Sequence, residues 1–399
     1  MKVEKKKVSS VKKVNIIKKS VNSVKKTKLS QIKNKIIGPL KSKEAKSQVK
    51  PEIKKGFFQK IPIIKKHIMK PKTGRLSEGE VKKCQKELEL VRKEIANAVV
   101  GKDKVISGLL RAILSKGHVL VEGVPGIAKT LIIRVLAHVT TSDFKRIQFT
   151  ADLLPTDIIG LTTYDPKMGF SVVKGPVFTN FLLADEINRA PAKVQSALLE
   201  AMQEKQVTIG KNSLGITEPF FVLATQNPIE SVAIFPLPEA QMDRFLFKLF
   251  IGYPDIKEEQ AILQKNMTIS SFENFNLRSV ISSQEIIRMQ EITKRIYLSP
   301  EVENYIVRLV DATRFPDKYK LKNAKYVGWG SSPRAGIGMF IASKADALLD
   351  GKNYVTPKNV KNIAHDVLRH RIILNYEGQA ENLKTDDIIS EILLKVPTP

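Results

Sequence analysis

The sequence contains little cysteine and no long apolar run. Cys84 is the single cysteine among 399 residues, which excludes an intramolecular disulfide framework and a zinc site built on several cysteines. No apolar run reaches the roughly 18 residues of a membrane-spanning helix, so we expect no transmembrane segment. The basic start of the chain lacks the apolar core of a secretory signal. These absences predict a cytoplasmic protein in a reducing compartment.

Acidic residues are scarce at the beginning of the chain. Residues 1–75 hold 25 Lys and Arg but only three acids, whereas residues 76–399 hold 42 basic and 37 acidic residues. Most of the net charge of +27 therefore belongs to residues 1–75, and this composition predicts a disordered low-complexity tail. Its charge suits an anionic surface or the phosphate backbone of a nucleic acid.

From residue 76 to residue 255, apolar segments of strand length alternate with segments of helical periodicity. This alternation predicts an α/β domain in which helices cover a parallel sheet. After Pro254 the pattern is mostly helical, which predicts a second, all-α domain over residues 256–399. The predicted strands are His118–Glu122, Arg146–Phe149, Phe181–Asp185, Phe220–Ala224 and Phe245–Ile251, and the helices between them are Lys129–Val139 and Ala192–Glu204.

One segment between a predicted strand and a predicted helix has the composition of a phosphate-binding loop. Glycines let backbone N–H groups converge on phosphate oxygens, and the following helix adds the partial positive charge of its N-terminus. Lys129 would reach the β- and γ-phosphates, and the Thr130 hydroxyl would bind Mg²⁺. Ala128 stands where the strict motif has its last glycine, so a Gly-Pro turn before a basic helix is the alternative. The segment reads Gly123-Val124-Pro125-Gly126-Ile127-Ala128-Lys129-Thr130.

Two carboxylates end the apolar strand that begins at Phe181. Asp185 is expected to hold the Mg²⁺ shell, and Glu186 is expected to activate the attacking water. Because neighbouring side chains on a strand point to opposite faces, we expect the two carboxylates to have different tasks. The alternative is a solvated acidic turn before the next helix.

A third apolar strand, beginning at Phe220, ends in polar amides. Asn227 is placed there to bind the γ-phosphate or the attacking water. An Asn-Pro turn without a ligand is the alternative, because Pro228 follows directly.

Several stretches together resemble the MoxR family of AAA+ ATPases, over about residues 76–385. The phosphate loop with alanine before Lys129 matches the family, so the departure from the strict motif becomes support. The other stretches are Phe181–Glu204, Ala224–Glu230, Phe235–Phe245, Ser332–Ala335 and Leu368–Ile372.

The resemblance implies an AAA+ P-loop core with a five-stranded parallel sheet, an all-α lid, and a site for ATP and Mg²⁺ between them. It also implies a homo-oligomeric ring, a hexamer in this family, in which one subunit's arginine enters the neighbouring site. By position that arginine is Arg244, and Arg334 would sense the γ-phosphate from the lid. Val100 and Gly101 would contact the adenine.

Simpler roles stay open for these residues. Arg244 could form a local ion pair with Asp243 or Glu239, and Arg334 could be a surface arginine in the first turn of a helix. Val100 and Gly101 could be a plain helix end.

The resemblance also concerns partners. Members of the family are thought to remodel or mature partner proteins, often ones with von Willebrand A domains. The stretch from Asp152–Asp157 through Tyr164–Phe178 looks like a hairpin insertion that would face the ring pore or a client, with an exposed loop as the alternative. Other functions left open are a nucleic-acid-associated AAA+ motor that uses the tail, a chelatase-type motor subunit, and a silent ATP-binding scaffold.

Overall fold

The structure, a computed structural model, describes residues 76–123, 129–167, 169–227, 235–265 and 272–399. The predicted tail and the loop residues Val124, Pro125, Gly126, Ile127 and Ala128 lie outside these ranges. The described residues belong to one compact unit, and its division at residue 255 stays a prediction. Among them, no helix has both the length and the apolar character needed to cross a membrane.

Residues 78–251 alternate helices and strands. Helix Lys129–Val139, helix Ala192–Glu204 and strand Phe181–Asp185 have the predicted bounds. The elements in chain order are α1 (Glu78–Ala98), α2 (Asp103–Leu114), β1 (Val119–Gly123), α3 (Lys129–Val139), β2 (Phe144–Gln148), α4 (Pro155–Ile159), β3 (Gly160–Asp165), β4 (Gly169–Lys174), β5 (Phe181–Asp185), α5 (Ala192–Glu204), β6 (Gln206–Ile209), β7 (Asn212–Gly215), β8 (Phe221–Gln226), α6 (Glu239–Met242) and β9 (Phe247–Ile251).

Five of these strands form a parallel sheet in the order β2–β5–β8–β1–β9, which confirms the predicted architecture. Successive side chains enter two cores on opposite faces of the sheet. Val119 and Val121 pack into one core with α1, α2 and α3, whereas Leu120 packs into the other with α5. Because β8 lies between β1 and β5, the carboxyl ends of these three strands are neighbours.

Two antiparallel hairpins project from this part of the chain. Strand β3 pairs with β4 over Gly160–Lys174, inside the predicted insertion. Strand β6 pairs with β7, a hairpin that the sequence did not predict because each strand is only four residues long. Helix α2 was also missed, since apolar residues surround much of its circumference and eight of its twelve residues are buried.

Residues 256–399 are mostly helical, as predicted. Three of the helices begin at a proline that follows Ser299, Ser332 or Thr356, and the proline ring suits the first helical position. The elements are α7 (Ile256–Lys265), α8 (Ser283–Arg295), α9 (Pro300–Arg314), β10 (Val327–Trp329), α10 (Pro333–Leu349), α11 (Pro357–Leu368), β11 (Ile373–Leu374), α12 (Tyr376–Ala380) and α13 (Thr385–Lys395).

A buried polar contact joins the two parts of the chain. Arg111 of α2 donates from Nε to Oδ1 of Asp346 in α10 at 2.6 Å, and the Asp346 carboxylate is almost fully buried. Asn359 and Asn362 of α11 donate to its other oxygen at 2.8 and 3.0 Å. The carboxylate is therefore hydrogen-bonded on both oxygens, as a buried charge requires.

Candidate active site

Lys129 opens helix α3 directly after the predicted phosphate loop. Its Nζ donates to the carbonyl of Gly123 at the end of β1, at 2.5 Å. Burial lowers the pKa of this lysine, and the negative charges of Asp185, Glu186 and Glu122 oppose that shift. The contact with Gly123 folds the lysine back toward the strand end, so its charge lies at the carboxyl edge of the sheet.

Asp185 ends β5 and has partners on both oxygens. Its Oδ1 accepts from the hydroxyl of Thr225 at 2.6 Å, and its Oδ2 accepts from Nη2 of Arg146 at 2.7 Å. Thr225 lies on the adjacent strand β8, and Arg146 lies on β2, the other neighbour of β5. The carboxylate is therefore oriented by both flanking strands.

Glu186 does not continue the strand, so the predicted alternation of the two carboxylates is wrong in its geometry. The strand ends at Asp185, and Glu186 adopts a left-handed conformation with φ of 56°. This conformation is uncommon for a residue with a side chain and occurs where the surroundings enforce it. Here the backbone N–H of Glu186 donates to the Thr225 hydroxyl at 2.8 Å.

Two side chains hold the carboxylate of Glu186. Gln148, the last residue of β2, donates from Nε2 to Oε2 at 2.6 Å, and Arg189 donates from Nη1 to the same oxygen at 2.8 Å. Both partners are exposed enough to rearrange. The carboxylate therefore lies at the strand edge in a defined orientation, close enough to act on the pKa of Lys129.

Asn227 directly follows β8 and is buried, with 5% of its surface exposed. Since β8 lies between β1 and β5, Asn227 follows the strand between those that carry Gly123 and Asp185. The sheet order therefore brings together three of the predicted strand ends.

The donors at this edge suit a hard divalent cation. Asp185 supplies carboxylate oxygens, and Thr130, the second residue of α3, supplies a hydroxyl. Mg²⁺ prefers oxygen ligands of this kind and commonly takes few of them from the protein. The residues present therefore fit Mg²⁺ bound with a nucleotide.

Arg244 and Arg334 form a second group. Arg334, in the first turn of α10, contacts Asp243 with Nη1 at 3.4 Å and Gln203 of α5 with Nη2 at 3.5 Å. Arg244 follows Asp243 in the chain and lines a cleft of about 420 Å³ with Gln203 and Glu200. The carboxylate of Asp243 accepts from Ser332 and Arg371 of the helical part. Its partners are therefore not those of the alternative, a local Arg244–Asp243 ion pair.

Comparison with known proteins agrees with this geometry. Residues 118–247 match a family model described as "ATPase family associated with various cellular activities (AAA)", and residues 320–392 match one described as "AAA lid domain". Chaperone MoxR1 of Mycobacterium tuberculosis is 46% identical over 308 residues, which cover 77% of this chain and 81% of that protein. This chain belongs to the MoxR family of AAA+ ATPases.

Other relatives of this MoxR-family chain cover a similar region. The uncharacterized protein YeaC of Bacillus subtilis is 42% identical over 76% of this chain and 92% of its own length. Protein MoxR of Methylorubrum extorquens is 28% identical over 77% of this chain and 94% of its own. A crystal structure of a presumed ATPase from Cytophaga hutchinsonii superposes with a TM-score of 0.75 at 45% identity, covering 81% of this chain and 98% of that one.

The predicted adenine contacts lie in the turn between α1 and α2. Gly101 has φ of +69°, and a Cβ placed there would lie 2.1 Å from the carboxyl carbon of Glu258 in α7. Glu258 also pairs with Lys102 at 3.6 Å. Gly101 therefore lies against the start of the helical part, and the contact of Val100 and Gly101 with adenine stays a prediction.

Several residues of the site escaped the sequence reasoning. Gln148 and Thr225 lie near the carboxyl ends of predicted strands, a position that could have pointed to them, whereas Arg146 is the first residue of its predicted strand. Asp243 and Arg371 were within segments that carry the family resemblance, but their mutual contact joins residues 128 positions apart. A contact over such a distance depends on the tertiary structure.

Proposed function

We propose that this chain binds ATP with Mg²⁺ and hydrolyses its terminal phosphoanhydride. The observation that carries the proposal is the convergence of Lys129, Asp185 and Glu186 at one edge of the parallel sheet. Lys129 belongs to a sequence typical of a phosphate-binding loop. A lysine supplies positive charge for the phosphates, and paired carboxylates supply a metal ligand and a base. The backbone of residues 123–128 would cradle the phosphates, as its glycines allow.

Each side chain then has a task in the reaction. Lys129 binds the β- and γ-phosphates, and Thr130 and Asp185 hold Mg²⁺, which neutralises charge on the phosphate oxygens when it is bound. Glu186 accepts a proton from the attacking water once it leaves Gln148 and Arg189. Asn227 orients that water or binds the γ-phosphate.

Arg244 and Arg334 act at the interface between neighbouring subunits of a ring. Arg244 and Arg334 both lie beside Gln203, and Arg334 is joined to the residue that precedes Arg244. We assign this shared face to the neighbouring subunit, so that both guanidiniums stabilise charge on the neighbour's γ-phosphoryl group. A homo-oligomeric ring, a hexamer by family expectation, satisfies this arrangement at every interface.

The work done with ATP is the remodelling or maturation of a client protein in the cytoplasm. The relative from Mycobacterium tuberculosis is named a chaperone. Hairpin β3–β4 exposes a directly opposed aromatic pair, Tyr164 and Phe170, with 65% and 79% of their surfaces accessible. Such rings offer apolar area to a client, of which a protein with a von Willebrand A domain is one kind.

Two variants test the proposed reaction. Lys129→Ala should lose ATP binding in a calorimetric titration, because it removes the cation that serves the phosphates. Glu186→Gln should keep binding and lose turnover, because an amide cannot accept the proton of the water. Wild-type ATP affinity in Lys129→Ala would contradict the phosphate site, and wild-type turnover in Glu186→Gln would exclude Glu186 as the base. The Glu186→Gln protein with ATP is also the trap for retrieving the client.

The charge of residues 1–75 supports a second function, attachment to a polyanion. The 25 basic residues of this segment would release counterions from a nucleic acid backbone or an anionic membrane surface. A nucleic-acid-associated motor would use the same ATPase chemistry with a different partner, and so would a chelatase-type motor subunit.

A further inference from the structure

The carboxylate of Asp243 gathers three groups from the helical part of the chain. Nε of Arg371 donates to Oδ1 at 2.8 Å, and the hydroxyl of Ser332 donates to Oδ2 at 2.8 Å. Nη1 of Arg334 approaches the same Oδ2 at 3.4 Å. Asp243 itself lies in the α/β part, one residue before Arg244. A single carboxylate therefore connects the start of α10 and the segment that follows α11 to the segment that carries Arg244.

Arg371 also fixes the backbone on both sides of Arg244. Its Nη2 donates to the carbonyl of Asp243 at 3.1 Å and to that of Phe245 at 2.6 Å, and its Nη1 donates to the carbonyl of Leu246 at 3.1 Å. Nη1 also donates to the carbonyl of Val367, in α11 itself. The planar guanidinium thus binds the backbone carbonyls of the two residues on either side of Arg244.

The three contacts of the Asp243 carboxylate differ in length and in the burial of the partner side chain. The side chain of Arg371 is 3% exposed, so this charge depends on Asp243 and the surrounding carbonyls for compensation. The side chain of Arg334 is 48% exposed, and its contact is the longest of the three. Arg334 can therefore exchange Asp243 for a phosphate without leaving a buried charge unpaired, whereas Arg371 cannot.

We propose that Asp243 is a positioning residue for hydrolysis: held by Arg371 and Ser332, it fixes Arg244 and presents Arg334 on the same face. The inference rests on the proposed ATP hydrolysis. It adds that the orientation of the helical part is transmitted to the arginine pair through this carboxylate. A shift of α10 and α11 would move both arginines together.

Asp243→Asn tests the proposal with little change in volume. The amide oxygen can still accept from Arg371, but the amide nitrogen replaces Oδ2 and repels the donors of Arg334. We expect ATP affinity within about twofold of wild type and a kcat lowered roughly tenfold or more at nearly unchanged KM, since small misplacements of a charged group cost rate. Because Asp243 acts through the arginines, adding Asp243→Asn to Arg244→Ala should lower kcat little further.

Asp386→Asn is the matched control. Asp386 pairs with Arg369, two residues before Arg371, through Oδ1 at 3.0 Å and Oδ2 at 3.1 Å, and Arg369 donates to the carbonyl of Lys248 at 2.6 Å. This pair also ties the helical part to the α/β part, but away from Arg244. We expect Asp386→Asn to lower the free energy of unfolding but to keep the wild-type kcat, unlike Asp243→Asn.

A second pair of variants keeps the test informative if Asp243→Asn does not fold. Ser332 and Ser299 are both N-cap residues, of α10 and α9, and Ser332 also holds Asp243. Both Ser→Ala changes remove a helix cap, which typically lowers stability by ~1 kcal/mol. Of the two variants, we expect only Ser332→Ala to have a lowered kcat.

Each result decides the matter. Wild-type kcat in folded Asp243→Asn, multiplied losses in the double variant, or an equal loss in Asp386→Asn would overturn the positioning role. Equal kcat in Ser332→Ala and Ser299→Ala would overturn it as well. A wild-type protein without ATPase activity would instead overturn the proposed function, and this inference with it.

Discussion

The hydroxyl of Thr225 lies between the two carboxylate residues of the candidate active site. It donates to Oδ1 of Asp185 at 2.6 Å and accepts from the backbone N–H of Glu186 at 2.8 Å. Thr225 is almost fully buried at the end of β8. One hydroxyl therefore orients the proposed metal ligand and fixes the left-handed backbone of the proposed base.

Thr225→Val should slow hydrolysis more than it weakens ATP binding. Valine has nearly the same shape but leaves Oδ1 of Asp185 and the N–H of Glu186 without this partner, and an unsatisfied buried polar group costs about 1–3 kcal/mol. We expect kcat to fall roughly tenfold or more. Steady-state kinetics and ATP titration measure the two effects. Thr225→Ser keeps the hydroxyl, so a serine variant as slow as the valine variant would contradict this role.

Arg244→Ala should bind ATP normally and hydrolyse it poorly. If the arginine serves the neighbouring site, the loss in kcat should be on the order of 10³ or more, as for arginine fingers in general. Mixing this variant with Lys129→Ala subunits should restore activity above the sum of the two preparations. A mixed interface then combines an intact phosphate site with an intact arginine.

The mixing experiment needs proof of subunit exchange, for example by energy transfer between labelled subunits. Exchange without any recovered activity would indicate that Arg244 acts within its own subunit. Unchanged hydrolysis by Arg244→Ala would show that the residue has a structural task.

Deleting residues 1–75 should leave ATP hydrolysis and the melting temperature nearly unchanged. The segment contains few aromatic residues and a strong excess of one charge, so it contributes little to a folded core. Binding to DNA, RNA or anionic vesicles should be lost, and in the full chain that binding should weaken steeply with salt. A shortened chain that unfolds would contradict the prediction of a disordered tail.

His118 should make the protein less stable in acid. Burial lowers the pKa of His118 from 6.5 to about 4, while its ring accepts from the N–H of Val222 and contacts the carbonyl of Met202 at 3.2 Å. A depressed folded-state pKa means that this stability is present above pH 6.5 and is lost as the pH falls toward 4. Between about pH 7 and pH 5 the loss should be about 2 kcal/mol.

Urea unfolding of wild type and His118→Gln at these two pH values isolates this residue. Glutamine does not titrate, so the difference in unfolding free energy between the two proteins should narrow by that amount in acid. A constant difference would show that folding does not lower the pKa of His118. Carboxylates elsewhere contribute equally to both proteins and cancel.

Local sequence patterns predicted the parallel sheet and the bounds of two helices that cover it. Periodicity places helices Lys129–Val139 and Ala192–Glu204, and apolar runs place the five strands, because both patterns depend on neighbours in the chain. Local motifs likewise point to Lys129, Asp185 and Glu186. The family resemblance added Arg244 and Arg334, whose proposed roles no local pattern predicts.

Which side chains come into contact depends on the tertiary structure. The sheet order brings Arg146 and Thr225, on the two neighbours of β5, to Asp185. The docking of the helical part brings Arg371 to Asp243. Contacts of this kind depend on the packing of distant segments, whose order and orientation are not encoded in any local period of the chain. The left-handed backbone of Glu186 has the same origin, because it is stabilised by a hydroxyl from another strand.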